Sequence, residues 1–246
     1  MSIESQTDLD GITRAGRVVA DALKAMELAV SAGVKTQELD EVGASVLRRS
    51  GARSAPRLLY GCPSDNLISV NDEIVHGLPG RRTLRPGDVV KLDVTAEVGG
   101  YIADAATTVV LPGGHENGER LRSCAIAAFT AGCDAARAGR RVSEIGRAVE
   151  AEVTSRGFSV LRELTGHGVG RHIHEEPTVA NYFDPRQRDM LTEGLVLTIE
   201  PIVSERRTHA VQDADGWTLR TRNRCLAAHY EHTIIITNGA PVVVTR

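Results

Sequence analysis

Two stretches of this chain repeat each other at one fixed spacing, and no other sequence feature limits the fold as strongly. Ala32-Gly33, Leu39, Leu47 and Gly51 recur as Ala138-Gly139, Ile145, Val153 and Gly157, always 106 residues on and without a gap. In each copy a small-residue stop ends one helix and a glycine ends the next. Ile12, Val18, Val19, Leu23, Met26 and Val30 follow a helical spacing that predicts a helix over 7–31. Thr36 is the expected cap of a second helix ending at Gly51, with Leu39, Val42, Val46 and Leu47 on one face. The second copy predicts a helix over 116–138, with Leu121, Ile126, Phe129 and Cys133 inward. Ser143 then caps another, carrying Ile145, Val149 and Val153 on its inner face. Strand-forming sequence follows each helix pair. The chain therefore reads as an α+β fold of two similar halves, about 7–111 and 116–244, around one core. With 246 residues and no linker or low-complexity run, residues 1–246 read as a single domain.

In the first half, turn formers fill 52–66 and a short strand is expected over 67–70. NDEIVHGLP follows at 71–79, and Arg85-Pro86-Gly87-Asp88 makes a turn. Residues 89–98 and 101–111 alternate well enough to be two strands, and Gly99-Gly100 between them signals a hairpin. In the second half, strands are expected over 194–203, 217–222, 226–237 and 241–244, with a hairpin turn at 213–216.

Carboxylates interrupt these apolar strands. Asp93 breaks the run VVKLDV, and Asp104 lies eleven residues on in the hairpin partner, either opposite it or diagonal to it. Glu200 closes LVLTIEP on the face opposite Leu195, Leu197 and Ile199, and Glu231 shares a face with His229 and Thr233 in AAHYEHTIII. Strands this apolar bury much of what they carry, and a buried carboxylate is costly unless a cation or a close hydrogen-bond network offsets it. Lys91 is the only basic residue within these segments. A divalent metal site satisfies all four carboxylates, and their number suits two bridged ions better than one.

Between the halves' strands lies GHGVGRHIHEEP, residues 166–177, with His167 between its three glycines and His174 after them. A glycine-fixed histidine is a ready metal ligand or proton carrier. A mostly oxygen donor set with one nitrogen favours Mn²⁺, Fe²⁺, Co²⁺ or Zn²⁺ over a thiolate-bound structural zinc. The four cysteines show no CxxC pairing, as expected of reduced thiols in a cytoplasmic protein.

Other classes are disfavoured. The start of the chain lacks a signal-peptide pattern, and no apolar run approaches the ~20 residues that span a bilayer. A net charge of −3 argues against a dedicated nucleic-acid binder. Arg220, Arg222 and Arg224 make a small basic cluster, read first as the solvated face of an edge strand and second as a surface contact to RNA such as the ribosome's.

Taken in order, NDEIVHGLP, KLDV, YIADAATT, TGHGVGRHIHEEP, LTIEP and YEHTIIIT resemble the type I methionine aminopeptidases, in their short bacterial form. The resemblance runs over nearly the whole chain. It implies the pita-bread fold, with duplicated helix–helix–strand halves around a curved antiparallel sheet. It also implies removal of the N-terminal methionine from new polypeptides whose second residue is small; for the oligomeric state, which no motif addresses, monomer is the default expectation. Carried over by position, Asp93, Asp104, His167, Glu200 and Glu231 become the ligands of two metal ions, with Asp104 and Glu231 bridging. A hydroxide held between the ions would attack the scissile carbonyl. Glu200 would then shuttle protons, His174 would donate to the carbonyl oxygen, and His76 would contact the amide beyond the scissile bond.

The same resemblance places the methionine pocket at Leu59, Cys62, Ile173 and Trp217. Trp217 fits the family pattern, whereas Leu59 and Cys62 stand where aromatic residues are frequent and Ile173 where phenylalanine is. His229 stands where glutamine often precedes Tyr-Glu. His115, His172, His209 and His232 match no functional position and read as structural or solvated. Two other readings share the pattern. An Xaa-Pro aminopeptidase or prolidase of this fold is one, although such enzymes usually carry a further N-terminal domain. A catalytically silent peptide-binding domain is the other, although such domains typically lose metal ligands.

Overall fold

The computed structural model describes residues 1–114 and 116–246. Its first half opens with α1 (Gln6–Ala29) and α2 (Thr36–Arg49), then β1 (Arg53–Ser54), α3 (Ala55–Tyr60), β2 (Leu67–Val70), β3 (Glu73–Val75), β4 (Val89–Val98) and β5 (Tyr101–Val110). The second half runs through α4 (Glu116–Ala135), α5 (Val142–Ser155), β6 (Ser159–Val160), β7 (Thr165–Gly168), β8 (Glu175–Ala180) and β9 (Val196–Ile199). It continues with β10 (Ile202–Ser204), β11 (Ala210–Gln212), β12 (Leu219–Thr221), β13 (Ala227–His229), β14 (Glu231–Ile235) and β15 (Val242–Val243).

A nine-stranded sheet in the order β1-β4-β5-β14-β9-β7-β8 forms the centre, with β2 also on β4 and β15 also on β14. Every pairing in it is antiparallel. The halves meet where β5 pairs β14, and each outer flank carries its own helix pair. Ile12, Ala15, Val19 and Met26 of α1 pack with Leu92, Val94 and Ala96 of β4 in one core cluster, all buried to within 1 %. Each of these side chains larger than alanine contributes ~1.5–3 kcal/mol by leaving water. Because strand residues alternate, putting Leu92 and Val94 under the helix turns Asp93 and Thr95 to the opposite face. Leu121, Phe129, Ile145 and Val149 cover the second half in the same way. Ile126 and Cys133, expected inward, are only partly buried; Cys124, Ala125 and Ala128 take the inner positions.

The Gly99-Gly100 hairpin forms as expected, with Val98 paired to Tyr101. Five expectations change. The helix caps are not Thr36 and Ser143: Lys35 and Arg141 hold the cap positions. Their N–H groups donate to Glu38 and Glu144, which reach back from the first turn. The stretch 52–66 is not all loop. Ser54 accepts from the Arg57 N–H and Pro56 sits in the first turn, and together they start α3.

The strand expected over 194–203 breaks at Glu200-Pro201, because Pro201 has no N–H to continue the ladder. Its neighbour over 226–237 breaks at the same level. The Tyr230 N–H turns to the Pro201 carbonyl, separating β13 from β14. Finally, β12 is no edge strand. It lies between β11 and β3, where Arg220 binds Asp72, Glu73 and Asp213, and Arg224 also binds Asp72. Of the basic cluster, only Arg222 faces solvent without an ion pair among the described residues.

Candidate active site

One cavity of about 510 Å³ opens over the seam between the halves, and all five sequence-predicted ligands line it: Asp93, Asp104, His167, Glu200 and Glu231. Asp93 and Asp104 sit diagonally across the hairpin, since Asp93 faces Ala106 and Asp104 faces Thr95. The Thr95 hydroxyl donates to Asp104 Oδ1 at 2.9 Å. Asp104 is tied by its backbone to the other half: its N–H donates to Thr233 Oγ1 at 2.9 Å, and that hydroxyl donates back to its carbonyl at 2.8 Å. Glu200 occupies the break after β9, where Asn181 donates to its carbonyl at 2.9 Å. Glu231 opens β14 beside it. The paired strand break thus turns two more carboxylates toward the hairpin's two.

His167 comes from β7, a strand squeezed between β8 and β9. A Cβ on Gly168 would stand 2.3 Å from the Glu176 carbonyl oxygen, so only glycine lets these backbones approach. The His167 Nδ1 lies 3.0 Å from the Gly168 carbonyl, an acceptor only, so Nδ1 carries the proton and Nε2 is bare. That bare nitrogen faces Glu200 Oε1 at 3.5 Å. The loop that follows is held by Glu175, whose Oε1 accepts from the Arg171 and His172 N–H groups at 2.7 and 2.8 Å.

Burial and mutual repulsion hold Asp93, Glu200 and Glu231 well above the usual carboxylate range, and burial lifts Asp104 to about 7. Burial and the neighbouring His174 push His167 down to about 4, and burial pushes His229 down to about 3. Four carboxylates therefore converge with a bare imidazole nitrogen, and Glu231 Oε1 has no hydrogen-bond partner among the described residues. The ligand atoms of Asp104, His167 and Glu231 lie within 4.8 Å of one another, as do those of Glu200, His229 and Glu231. A donor set of this kind fits divalent cations, which remove both the repulsion and the orphaned lone pairs.

Of the other predicted site residues, His76, His174, Ile173 and Trp217 line the cavity. His76 sits at φ 59, a left-handed position at the end of the β3 segment, and it is exposed toward the cavity. Leu59 and Cys62 do not line it. Leu59 points outward from α3 at 45 % exposure, and Cys62 is buried beside Ser64. Tyr60, Pro56, Leu67 and Val75 take their place. Tyr60, passed over in the sequence, has its hydroxyl 2.9 Å from His174 Nδ1 and its ring stacked on that imidazole.

Three further histidines lie away from the ligands. His172 is exposed, and His209 pairs with Glu163 at the surface. His232 is buried between Phe129 and Tyr230 and bonded to Thr245. His115 lies outside the described residues.

Comparison with known proteins agrees with this geometry. The model of metallopeptidase family M24 matches residues 10–238. Methionine aminopeptidase 2 of Bacillus subtilis is 40 % identical over the full length of both chains. A methionine aminopeptidase of Staphylococcus epidermidis is 35 % identical over 100 % of this chain and 99 % of its own. The crystal structure of methionine aminopeptidase from Thermotoga maritima superposes with a TM-score of 0.96 at 31 % identity, covering all of both chains. The prolidase of Pyrococcus horikoshii shares the fold at a TM-score of 0.79 and 22 % identity, and this chain spans 63 % of it. The chain belongs to metallopeptidase family M24, among the methionine aminopeptidases. Its architecture is their pita-bread fold.

Proposed function

We propose that this chain removes the N-terminal methionine from polypeptides whose second residue is small, using a dinuclear metal centre held by Asp93, Asp104, His167, Glu200 and Glu231. The observation that carries this reading is the convergence of four buried carboxylates and a bare imidazole nitrogen on one cavity. Asp104 and Glu231, one from each half, would be the ligands shared between the ions, which would be drawn from Mn, Fe, Co and Zn. Residues 1–246 act as one catalytic domain whose halves, about 7–111 and 116–244, each supply two of the carboxylates. When bound there, divalent ions would lower the pKa of a water enough to supply a nucleophile near neutral pH.

The chain's own residues do the rest. Glu200 accepts the nucleophile's proton and delivers it to the leaving amine. If Tyr60 donates to His174 Nδ1, the imidazole keeps its proton on Nε2, where it can donate to the carbonyl oxygen as negative charge develops there. His76 contacts the amide beyond the scissile bond. Ile173, Tyr60 and Trp217 form the apolar wall for the methionine side chain, in place of the Leu59 and Cys62 side. Four free cysteines suit a cytoplasmic setting. No helix among the described residues is long and apolar enough to cross a membrane. A ribosome contact would rest on Arg222, because Arg220 and Arg224 are held by acidic partners.

The test compares release of the first residue from Met-Ala-Ser, Leu-Ala-Ser and Ala-Pro-Ser, with metal-stripped protein and with protein given Mn²⁺ or Co²⁺. Metal-dependent cleavage confined to the methionine peptide is expected. Cleavage of Ala-Pro-Ser instead would replace the specificity with that of an Xaa-Pro enzyme. Metal binding without any cleavage would favour a silent peptide-binding domain.

A further inference from the structure

His229 is an imidazole without a bonding partner in the most buried part of the site. It ends β13, is 2 % exposed, and lines the cavity floor. Its backbone is clamped on both sides by one hydroxyl: the His229 N–H donates to Thr108 Oγ1 at 3.0 Å, and that hydroxyl donates to the His229 carbonyl at 2.8 Å. The ring is thereby aimed at the carboxylates. Its Nε2 lies 3.3 Å from Glu231 Oε2 and 3.8 Å from Glu200 Oε2. Neither ring nitrogen has a hydrogen-bond partner among the described residues, and neither does Glu231 Oε1. A buried imidazole left so loses its hydration and gains nothing in return.

The possible ligand atoms fall into two groups with one residue in common. Asp104, His167 and Glu231 make one, and Glu200, His229 and Glu231 make the other. Each group contains one imidazole. Ligand atoms held at ~2.1 Å by one ion stand roughly 3–3.5 Å apart, close to the spacing of His229 Nε2 from its two carboxylates.

We propose that His229 is itself a metal ligand, a second nitrogen donor that makes this centre four carboxylates and two imidazoles. The proposal rests on the dinuclear reading above. An added imidazole shifts the preference of one position toward ions that favour nitrogen, such as Co²⁺ and Zn²⁺, relative to Mn²⁺. His229→Gln is therefore expected to weaken one of the two Co²⁺ binding steps at least ~10-fold, and the matching Mn²⁺ step less.

The deciding measurement counts imidazoles without reading activity. Full-length protein carrying ¹⁵N-labelled histidine is loaded with two equivalents of Co²⁺, and exchangeable imidazole N–H resonances are recorded. Only those with the large contact shifts of a ring bonded to Co²⁺ are counted, since the nearby unligated His76 and His174 feel only the smaller through-space shift. Two are expected in the wild type and one in His229→Gln. X-ray absorption on the loaded wild type supplies the same count with no variant, and one imidazole per ion on average is expected. A single shifted resonance in the wild type would overturn the proposal and leave His229 as a positioning group for Glu231. Two resonances that survive in His229→Gln would assign the second ligand to another histidine, and so overturn it too. None in either protein would remove His229 together with the metal centre itself.

Discussion

The two halves of the molecule use the same frame and fill it differently. The Gly33 N–H donates to the Leu84 carbonyl at 2.9 Å, and the Gly139 N–H to that of Leu191 at 2.8 Å. The Thr36 N–H reaches Arg82 and the Val142 N–H reaches Asp189, both at 3.0 Å. Gly87 and Gly194 each close a turn at positive φ, and six residues beyond each stands a carboxylate, Asp93 or Glu200. After those residues the halves part. The first continues its strand unbroken to the Gly99-Gly100 turn and brings Asp104 back beside Asp93. The second breaks at Pro201, makes an excursion through β11 and β12, and returns with His229 and Glu231. The shared frame sets Asp93 and Glu200, and the departure from it supplies Asp104 in one half and His229 with Glu231 in the other. His167, His174 and His229 all belong to the second half, and only His76 comes from the first.

The strongest way to break this comparison is at the seam. Asp104 and Glu231 come from opposite halves, and both are proposed to bridge. Asp104→Asn and Glu231→Gln should each lower kcat/KM by ~10³-fold or more at saturating metal, with far-UV circular dichroism unchanged. Near wild-type activity in either variant would mean that the halves do not share one centre.

A smaller effect tests the charge that the halves bring together. In metal-stripped protein, Asp93, Glu200 and Glu231 are held well above the carboxylate range and Asp104 stands at about 7. Unfolded, the same groups titrate near 4. Between those values the native state binds more protons than the unfolded chain, so stability is highest below the window and falls as pH rises through it. Bound cations remove that penalty. The gap in Tm between metal-loaded and stripped protein should therefore widen from pH 5.5 to pH 7.5. A constant gap would show that burial and repulsion do not hold these carboxylates above their unfolded range.

The five proposed ligands and the frame were legible because each violates or obeys a simple pattern. An aspartate inside VVKLDV or a glutamate ending LVLTIEP stands out against its apolar neighbours, and the hairpin is announced by its two glycines. What could not be read depends on contacts distant in sequence. Arg220 looks solvated until β3 is seen to pair with β12 and surround it with carboxylates. Tyr60 enters the cavity, and Leu59 leaves it, only because Ser54 and Pro56 turn that stretch into α3. The break at Pro201 carries a local signal, proline in a central strand. Its effect on Tyr230, 29 residues on, does not.

The smallest expected effect asks whether the frame carries equal load in both halves. Gly33 and Gly139 sit at φ 96 and 83, each with nothing within 4 Å of a built Cβ. Alanine there meets no clash, so its cost is the left-handed backbone alone, ~1–2 kcal/mol. Gly33→Ala and Gly139→Ala should lower stability by similar amounts in urea unfolding, with a drop in Tm of roughly 2–8 °C for a chain of this size. Activity below the transition should be unchanged, because neither turn touches the cavity. A Gly139→Ala cost well above that of Gly33→Ala would place more of the folding free energy in the second helix pair. The half that departs from the frame to build the imidazole wall would then also be the half that holds the site rigid.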